Sequence, residues 1–383
     1  MGEVELTLSR LLILGGFAAL VATGDVRAEL FRTRLAIPIA LLLAAGLVTT
    51  IKWGTEPRLR FLVESVALFY LTYAVAVARP EARRALLAVA LVALSISALG
   101  GVAQISQGEA TGFYRDGCEP VTASPPVIPD GTVTRATGTF SNPNLLAGHL
   151  LLLLPLGAAA VAGAGGLQLR LGLGLAVALG YLGLALTYSR AAIFFALLAL
   201  GAAAAVSGVR HRALLAGVAV ALAIGSTFLF AACGSEAGAG YGRGDEWADT
   251  VELAVDNPVY GVGLGRLGDV LRVEDARAST RHAHNLFLNW WAEAGPLALV
   301  AWIWILGVLL WRTLRASLRG DPFARAAFVA LAGFVGFSLL DHPANVDRVA
   351  TALWIVMALA AAVTAASPDR ARTTSGDPSS RAA

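Results

Sequence analysis

The chain has 383 residues, 57% of them apolar and only 14% charged, with a mean hydropathy of +0.70. A typical soluble domain carries roughly 25% charged residues, and so few charges cannot shield this much apolar surface from water. The net charge of +3 comes from arginines scattered through short connections, which excludes the concentrated basic patch of a nucleic-acid binder.

Uncharged runs at 85–108, 136–169, 171–189, 191–209, 213–235, 294–311 and 349–368 predict an all-α polytopic bundle, since about 20 residues of helix cross a bilayer. The first apolar run, Leu11–Gly24, lacks an A-x-A-like exit before Asp25 and is followed by Arg27, Arg32 and Arg34. It is therefore expected to be a short first span and not a cleaved signal peptide. Further spans are expected at 35–53, 61–78 and 85–106, then 144–163, 169–188, 190–208 and 213–232, and finally 286–311, 324–340 and 348–366. Residues 1–366 then form one transmembrane helical domain with two long connections, 107–143 and 233–285. The tail 367–383, rich in Ser, Thr, Pro and Arg, reads as disordered. Eleven spans put the termini on opposite sides and both long connections on one side. The excess of arginine in the short loops at 27–34, 79–84 and 312–325 favours a cytoplasmic position for those loops and an extracytoplasmic one for the long connections. The two cysteines, Cys118 and Cys233, fall in or at the edge of those connections. A disulfide between them is chemically allowed there, and two unpaired thiols are the alternative.

The second connection holds most of the chemistry. From Glu246 to Asp256, Trp247, Val251, Ala254 and Val255 recur at helical spacing with acids opposite, and Asn257-Pro258 stops the helix. The pattern suits a helix lying on the membrane surface or packed on the bundle. Gly263-Leu264-Gly265-Arg266-Leu267-Gly268 matches GxGxxG, but no strand of βαβ type precedes it; a tight glycine turn against another helix fits better. His282 and His284 precede the span that contains Glu293. A histidine at the membrane boundary can take a proton from an acceptor hydroxyl. Two histidines without a third ligand argue weakly for a metal. Arg190, Arg243 and Arg135 can together neutralise a diphosphate, or each can be a snorkelling anchor. Of the ionisable groups near span interiors, Glu64 pairs naturally with Arg60, His149 is structural or lines a cavity, and Asp341-His342 is an additional candidate.

Four segments, taken in order over 138–295, resemble the O-antigen ligase family of polytopic membrane glycosyltransferases. Gly138-Thr139-Phe140-Ser141-Asn142-Pro143-Asn144 is similar to its G-x-F-x-N-P-N element. Thr187-Tyr188-Ser189-Arg190 is similar to its T-x-S-R element. Arg243 to Trp247 followed by Asn257-Pro258 and Gly261-x-Gly263-x-Gly265 is similar to its R-x-x-x-W and N-P-x-x-G-x-G run. His284-Asn285 with Gly295 is similar to its H-N-x9-G signature. The resemblance implies a GT-C-like bundle of eleven or twelve spans in the bacterial inner (plasma) membrane, with its active face extracytoplasmic. It implies transfer of a glycan from undecaprenyl diphosphate to lipid A–core, a surface polysaccharide or a protein, with no cofactor and no metal. Carried over, Arg190 and Arg243 would hold the donor diphosphate and His284 would be the base. Asn144, Ser189, Trp247, Asn285, Glu293 and Arg135 would support them. A polymerase of the same family, or a transporter or flippase of lipid-linked sugars, is the alternative.

Overall fold

The computed structural model describes residues 8–23, 33–107, 122–123, 133–205, 212–232, 243–274 and 282–365. Both cysteines and the C-terminal tail lie outside the described residues, and with them the expectations about a disulfide and a disordered end. Four helices come first: α1 (Leu8–Ala22), α2 (Ala36–Trp53), α3 (Glu56–Ala78) and α4 (Ala82–Gln107). The first long connection contributes one antiparallel pair of two-residue strands, β1 (Thr122–Ala123) and β2 (Val133–Thr134), with Thr122 opposite Thr134. Then follow α5 (Pro143–Ala162), α6 (Leu167–Leu186), α7 (Arg190–Ala205) and α8 (Arg212–Ala232). The second connection carries α9 (Arg243–Asp256) and α10 (Leu267–Glu274), and the chain ends with α11 (Leu286–Leu318), α12 (Pro322–Ser338) and α13 (Asp347–Ala365). The protein is a polytopic all-α membrane protein. Seven of its helices are long and apolar enough to cross a bilayer, and α1, α7, α8 and α12 contain shorter apolar helices. Each of the eleven expected spans falls on one of these.

Packing sorts the helices by what they face. α5 and α13 are apolar all round and largely buried, and with α12 and α11 they form the main core, as helices enclosed on every side must. α6 keeps Leu167, Leu169, Leu171, Leu175 and Leu182 exposed, an apolar surface suited to lipid. At the arginine-rich end α11 runs past the apolar stretch, with Arg315 over the Trp311 ring at 4.4 Å and Arg312 donating to the Thr364 carbonyl at 2.7 Å.

The opposite end is where the motifs gather, and it is organised by a break in α11. Gly295 takes φ 78° inside the helix, and Pro296 has no N–H to offer the carbonyl of Ala292. The chain answers with its glycine run. Val262 N–H donates to the Ala292 carbonyl at 2.8 Å, Gly263 N–H to the Glu293 carbonyl at 3.1 Å, and Thr49 Oγ1 from α2 to the same Glu293 oxygen at 3.1 Å. Trp53 Nε1 then ties the Gly261 carbonyl to the end of α2 at 2.9 Å. The approach needs glycine: a Cβ on Gly261, itself at φ 61°, would sit 2.4 Å from the Glu293 carbonyl carbon. The stretch Gly261-Val262-Gly263, which leads into the GxGxxG match, is thus a backbone clamp for the broken helix.

Over this clamp, Leu253, Ala254, Val262, Leu267, Leu271, Ala283 and Ala292 make a second, smaller core that seats α9 and α10 on α11. The buried stripe of α9 is Glu246, Thr250, Leu253 and Ala254, whereas Val251 and Val255 are exposed. This corrects the face expected from hydrophobic spacing, because the packing of Leu253 and Ala254 with Leu267, Leu271 and Ala292 sets the helix's rotation.

Gly261→Ala is expected to destabilise the protein by about 2–4 kcal/mol, from backbone collision plus a left-handed residue with a side chain. Gly244→Ala, on an exposed turn of α9 with open space around it, is expected to be neutral or stabilising. Thermal unfolding of the purified protein compares the two, and equal midpoints would remove the clamp from the account.

Candidate active site

Each motif serves the same end of the bundle through a local device. In the first, Gly138 at φ 58° packs on α4, whose Gln104 accepts from the N–H groups of Thr137 and Gly138 at 2.9 Å and donates to the Gly138 carbonyl at 3.0 Å. Asn142 then caps α5 by accepting from Asn144 N–H at 2.8 Å, and Pro143 opens the helix where no donor is needed. That leaves the Asn144 amide pointing outward. In the second motif Thr187 ends α6, Tyr188 turns at φ 49°, and the buried Ser189 accepts the Ile193 N–H so that Arg190 begins α7 exposed at this face. In the fourth, Asn285 caps α11 by accepting from Phe287 and Leu288 N–H, and anchors to the Leu339 carbonyl at 3.0 Å. His284 is thereby held at φ 45°, a left-handed conformation that costs on the order of 1–3 kcal/mol without glycine. Trp247 Nε1 secures the preceding residue through the Ala283 carbonyl at 2.8 Å.

Asp341, in the turn after α12, joins these pieces. Its Oδ1 lies 3.2 Å from His284 Nδ1 and accepts the His342 N–H at 2.7 Å, while Oδ2 accepts Asn144 Nδ2 at 2.6 Å. Asn144 Oδ1 in turn accepts from Arg135 Nη2 at 3.3 Å, and Arg135 Nε donates to the Thr187 carbonyl at 2.8 Å. One chain of bonds therefore runs from the α6–α7 turn to His284. On the imidazole's other side, Nε2 lies 4.0 Å from the carboxylate of the buried Glu246.

The charges follow from this arrangement. Burial works to raise Asp341, but the hydrogen bond and charge of His284, with His282 and the His342 N–H, overcome it and hold the carboxyl at about 2. An ionised Asp341 can only accept, so His284 Nδ1 carries the proton and the Nε2 lone pair is the basic one. Arg135 is depressed by burial and then by the positive charges of Arg190 and Arg243, while Asp341 opposes them. Arg135, Arg190 and Arg243 therefore share one positive region.

The structure brings Arg135, Asn144, Arg190, Arg243 and His284 to one place. Trp247, Asn285 and Ser189 act on backbone beneath them, and Glu293 lines an adjoining cavity. The ligand atoms of His282, His284 and Asp341 all lie within 4.8 Å of one another, a spacing that suits a divalent cation. His284 Nδ1 already engages Asp341, however, and His282 Nδ1 accepts the His284 N–H at 3.2 Å. Asp341, an additional candidate in the sequence, carries only the signal of an acid closing an apolar run. Glu246 and Gln104 carry no separate signal in the sequence.

Residues 175–303 match the family model described as O-antigen ligase, which covers the second, third and fourth motifs. The match covers about a third of the chain, and over that segment it agrees with the resemblance that the motifs carry. No match was found among curated proteins.

The histidines also make a prediction about stability. Burial, then the charges of His284 and Arg243, lower His282 from 6.5 to about 4 against the opposing Asp341, and burial pushes His342 well below 6.5. Both rings are neutral when folded but bind protons near 6.5 when unfolded, so stability present above about 6.5 is lost as the pH falls toward 4. The thermal midpoint should decline across that interval, and less steeply in His282→Asn. A variant with the wild-type slope would show that this ring is not the source.

Proposed function

We propose that the protein transfers a glycan from undecaprenyl diphosphate to an acceptor hydroxyl on the extracytoplasmic side of the bacterial inner membrane. The observation that carries this reading is an imidazole held by Asp341 on a chain of hydrogen bonds that reaches Arg135, whose charge is coupled to those of Arg190 and Arg243. His284 Nε2 takes the acceptor's proton as the acceptor oxygen attacks the anomeric carbon. The bond from that carbon to the diphosphate oxygen breaks, and the electron pair leaves with the diphosphate, whose charge Arg190 and Arg243 neutralise by paired hydrogen bonds. Asp341 holds the productive tautomer, and Glu246 with Asp341 stabilises the imidazolium. Arg135 and Asn144 keep the carboxylate in place. The inverted anomeric product follows from single displacement. A polymerase differs only in having a second lipid-linked glycan as acceptor. The broken α11 does not favour a transporter, since its freed carbonyls bond to the glycine run instead of facing a substrate path.

Release of free undecaprenyl diphosphate from a lipid-linked oligosaccharide in proteoliposomes, with acceptor extract added, tests the reaction. His284→Ala and Asp341→Asn should each lower the rate by roughly 10²–10⁴-fold while both proteins stay in the membrane. Wild-type rates in His284→Ala would refute the base. Arg190→Lys keeps the charge but loses the guanidinium fork, and should raise the donor KM about tenfold with the acceptor KM unchanged. An unaltered donor KM would take Arg190 out of the diphosphate site.

A further inference from the structure

The chain's single lysine, Lys52, stands in the last turn of α2, at the end of the bundle that carries the motifs. Its Nζ lies 4.7 Å from the centre of the Trp53 ring and 4.6 Å from that of Tyr260. Arg266, directly after Gly265, places its guanidinium carbon 4.8 Å from the same Trp53 ring. An aromatic face holds a cation without consuming its N–H donors. Neither cation has a carboxylate partner among the described residues. Two like charges brought to one ring repel each other, and an anion that bridges them relieves the repulsion.

The surroundings indicate the chemical class of that anion. Leu47 and Ile51 on α2, Leu297 and Val300 on α11 and Val259 in the connection are all exposed apolar side chains. α2 and α11 lie side by side, joined by the Thr49 bond to the Glu293 carbonyl, and the Val259 carbonyl lies against Gly295. A lipid-facing surface therefore climbs to the level of Lys52 and ends there. Trp53 and Tyr260 stand at that level, as aromatic side chains do at the edge of a bilayer. A soluble anion makes no use of the apolar surface. An anionic phospholipid uses both parts, with acyl chains along Leu47, Ile51 and Leu297 and a phosphodiester at the two cations. The quaternary ammonium of phosphatidylcholine finds the rings already taken by cations. Arg58 and Arg272 serve another place. Arg58 packs on Gly265 and Arg272 pairs with Asp269, and both line the cavity beside His284, which Lys52, Trp53, Tyr260 and Arg266 do not.

We infer that Lys52 and Arg266, seated on Trp53 and Tyr260, bind the phosphate of an anionic phospholipid at the membrane boundary, and that the bound lipid steadies the clamp on α11. Trp53 is the connection. Its Nε1 donates to the Gly261 carbonyl at 2.9 Å, and its Cβ lies so close to Gly263 that a Cβ added there would come within 3.1 Å of it. Arg266 donates its own N–H to the Gly263 carbonyl at 3.1 Å. A phosphate that draws the two cations together thus presses on the residues that hold the broken helix. The site does not depend on the transfer reaction, so binding and stability test it without any measurement of activity.

The full chain, delipidated in neutral detergent, is titrated with palmitoyl-oleoyl phosphatidylglycerol, the matching phosphatidylcholine and inorganic phosphate. Native mass spectrometry reads bound lipid, and the thermal midpoint is followed in parallel. Phosphatidylglycerol should bind at a roughly tenfold lower concentration than phosphatidylcholine and raise the midpoint, and inorganic phosphate should leave the midpoint unchanged. Lys52→Gln and Arg266→Gln should each weaken phosphatidylglycerol binding about fivefold, and the double variant about twentyfold, with phosphatidylcholine binding unaltered. Lys52 is exposed, so its single variant carries the test should the double variant fold poorly. Arg315→Gln/Arg319→Gln, at the opposite end of α11, should keep the wild-type response. An undiminished phosphatidylglycerol preference in the double variant would overturn the site. So would an equal loss in the Arg315 and Arg319 pair, which would mean diffuse charge neutralisation. A midpoint rise with inorganic phosphate equal to that with phosphatidylglycerol would replace the lipid by a soluble anion. Binding that depends on Lys52 and Arg266 without any rise in the wild-type midpoint would keep the site and overturn its hold on the clamp.

Discussion

A helix broken inside a membrane protein leaves backbone carbonyls where water is scarce, and each must find a donor or cost several kcal/mol. The Gly295-Pro296 break in α11 imposes that requirement, and much of the functional end follows from meeting it. The donors come from the backbone of Val262 and Gly263 and from Thr49, so the second connection must lie flat against α11 and α2 must stand beside both. Once the glycine run is pinned, α9 and α10 have a floor on which to build their small apolar core. Glu246 and Trp247 then reach the turn that carries His284.

The polar chemistry is arranged with similar economy. A single carboxylate, Asp341, takes hydrogen bonds from three directions and stays ionised despite burial, because a histidine faces it directly. Its position links three of the four motifs: Asn144 at the start of α5 with Arg135 ahead of it, Thr187 from the α6–α7 turn, and His284 from before α11. The arginines repel one another, and exposure of Arg190 and Arg243 to solvent keeps that cost low while leaving their charge available to an anion.

The bundle was legible because its determinants are local: uncharged runs of span length predict helices wherever lipid or protein surrounds them, and each expected span falls on one. The motif residues were legible through their resemblance to a family, and His284 also through its placement at a membrane boundary. Other features depend on tertiary context. Nothing in the spacing of Trp247, Val251 and Val255 shows that Glu246 turns inward, since the packing of Leu253 and Ala254 in the small core decides which face of α9 is buried. Asp341 lies 57 residues from its histidine. Its pairing could not be read without knowing that the turn after α12 returns to the start of α11.

The clamp also bears on how such chains can be recombined. Segments 257–265 and 292–296 form one unit of inheritance, because the donors of the first have no purpose without the break in the second. A chimera that takes the histidine-bearing helix from one relative and the preceding loop from another splits that unit, even if every catalytic side chain is retained. The natural crossover points lie outside the pair, so the parts on either side of it can be exchanged only when the clamp travels whole.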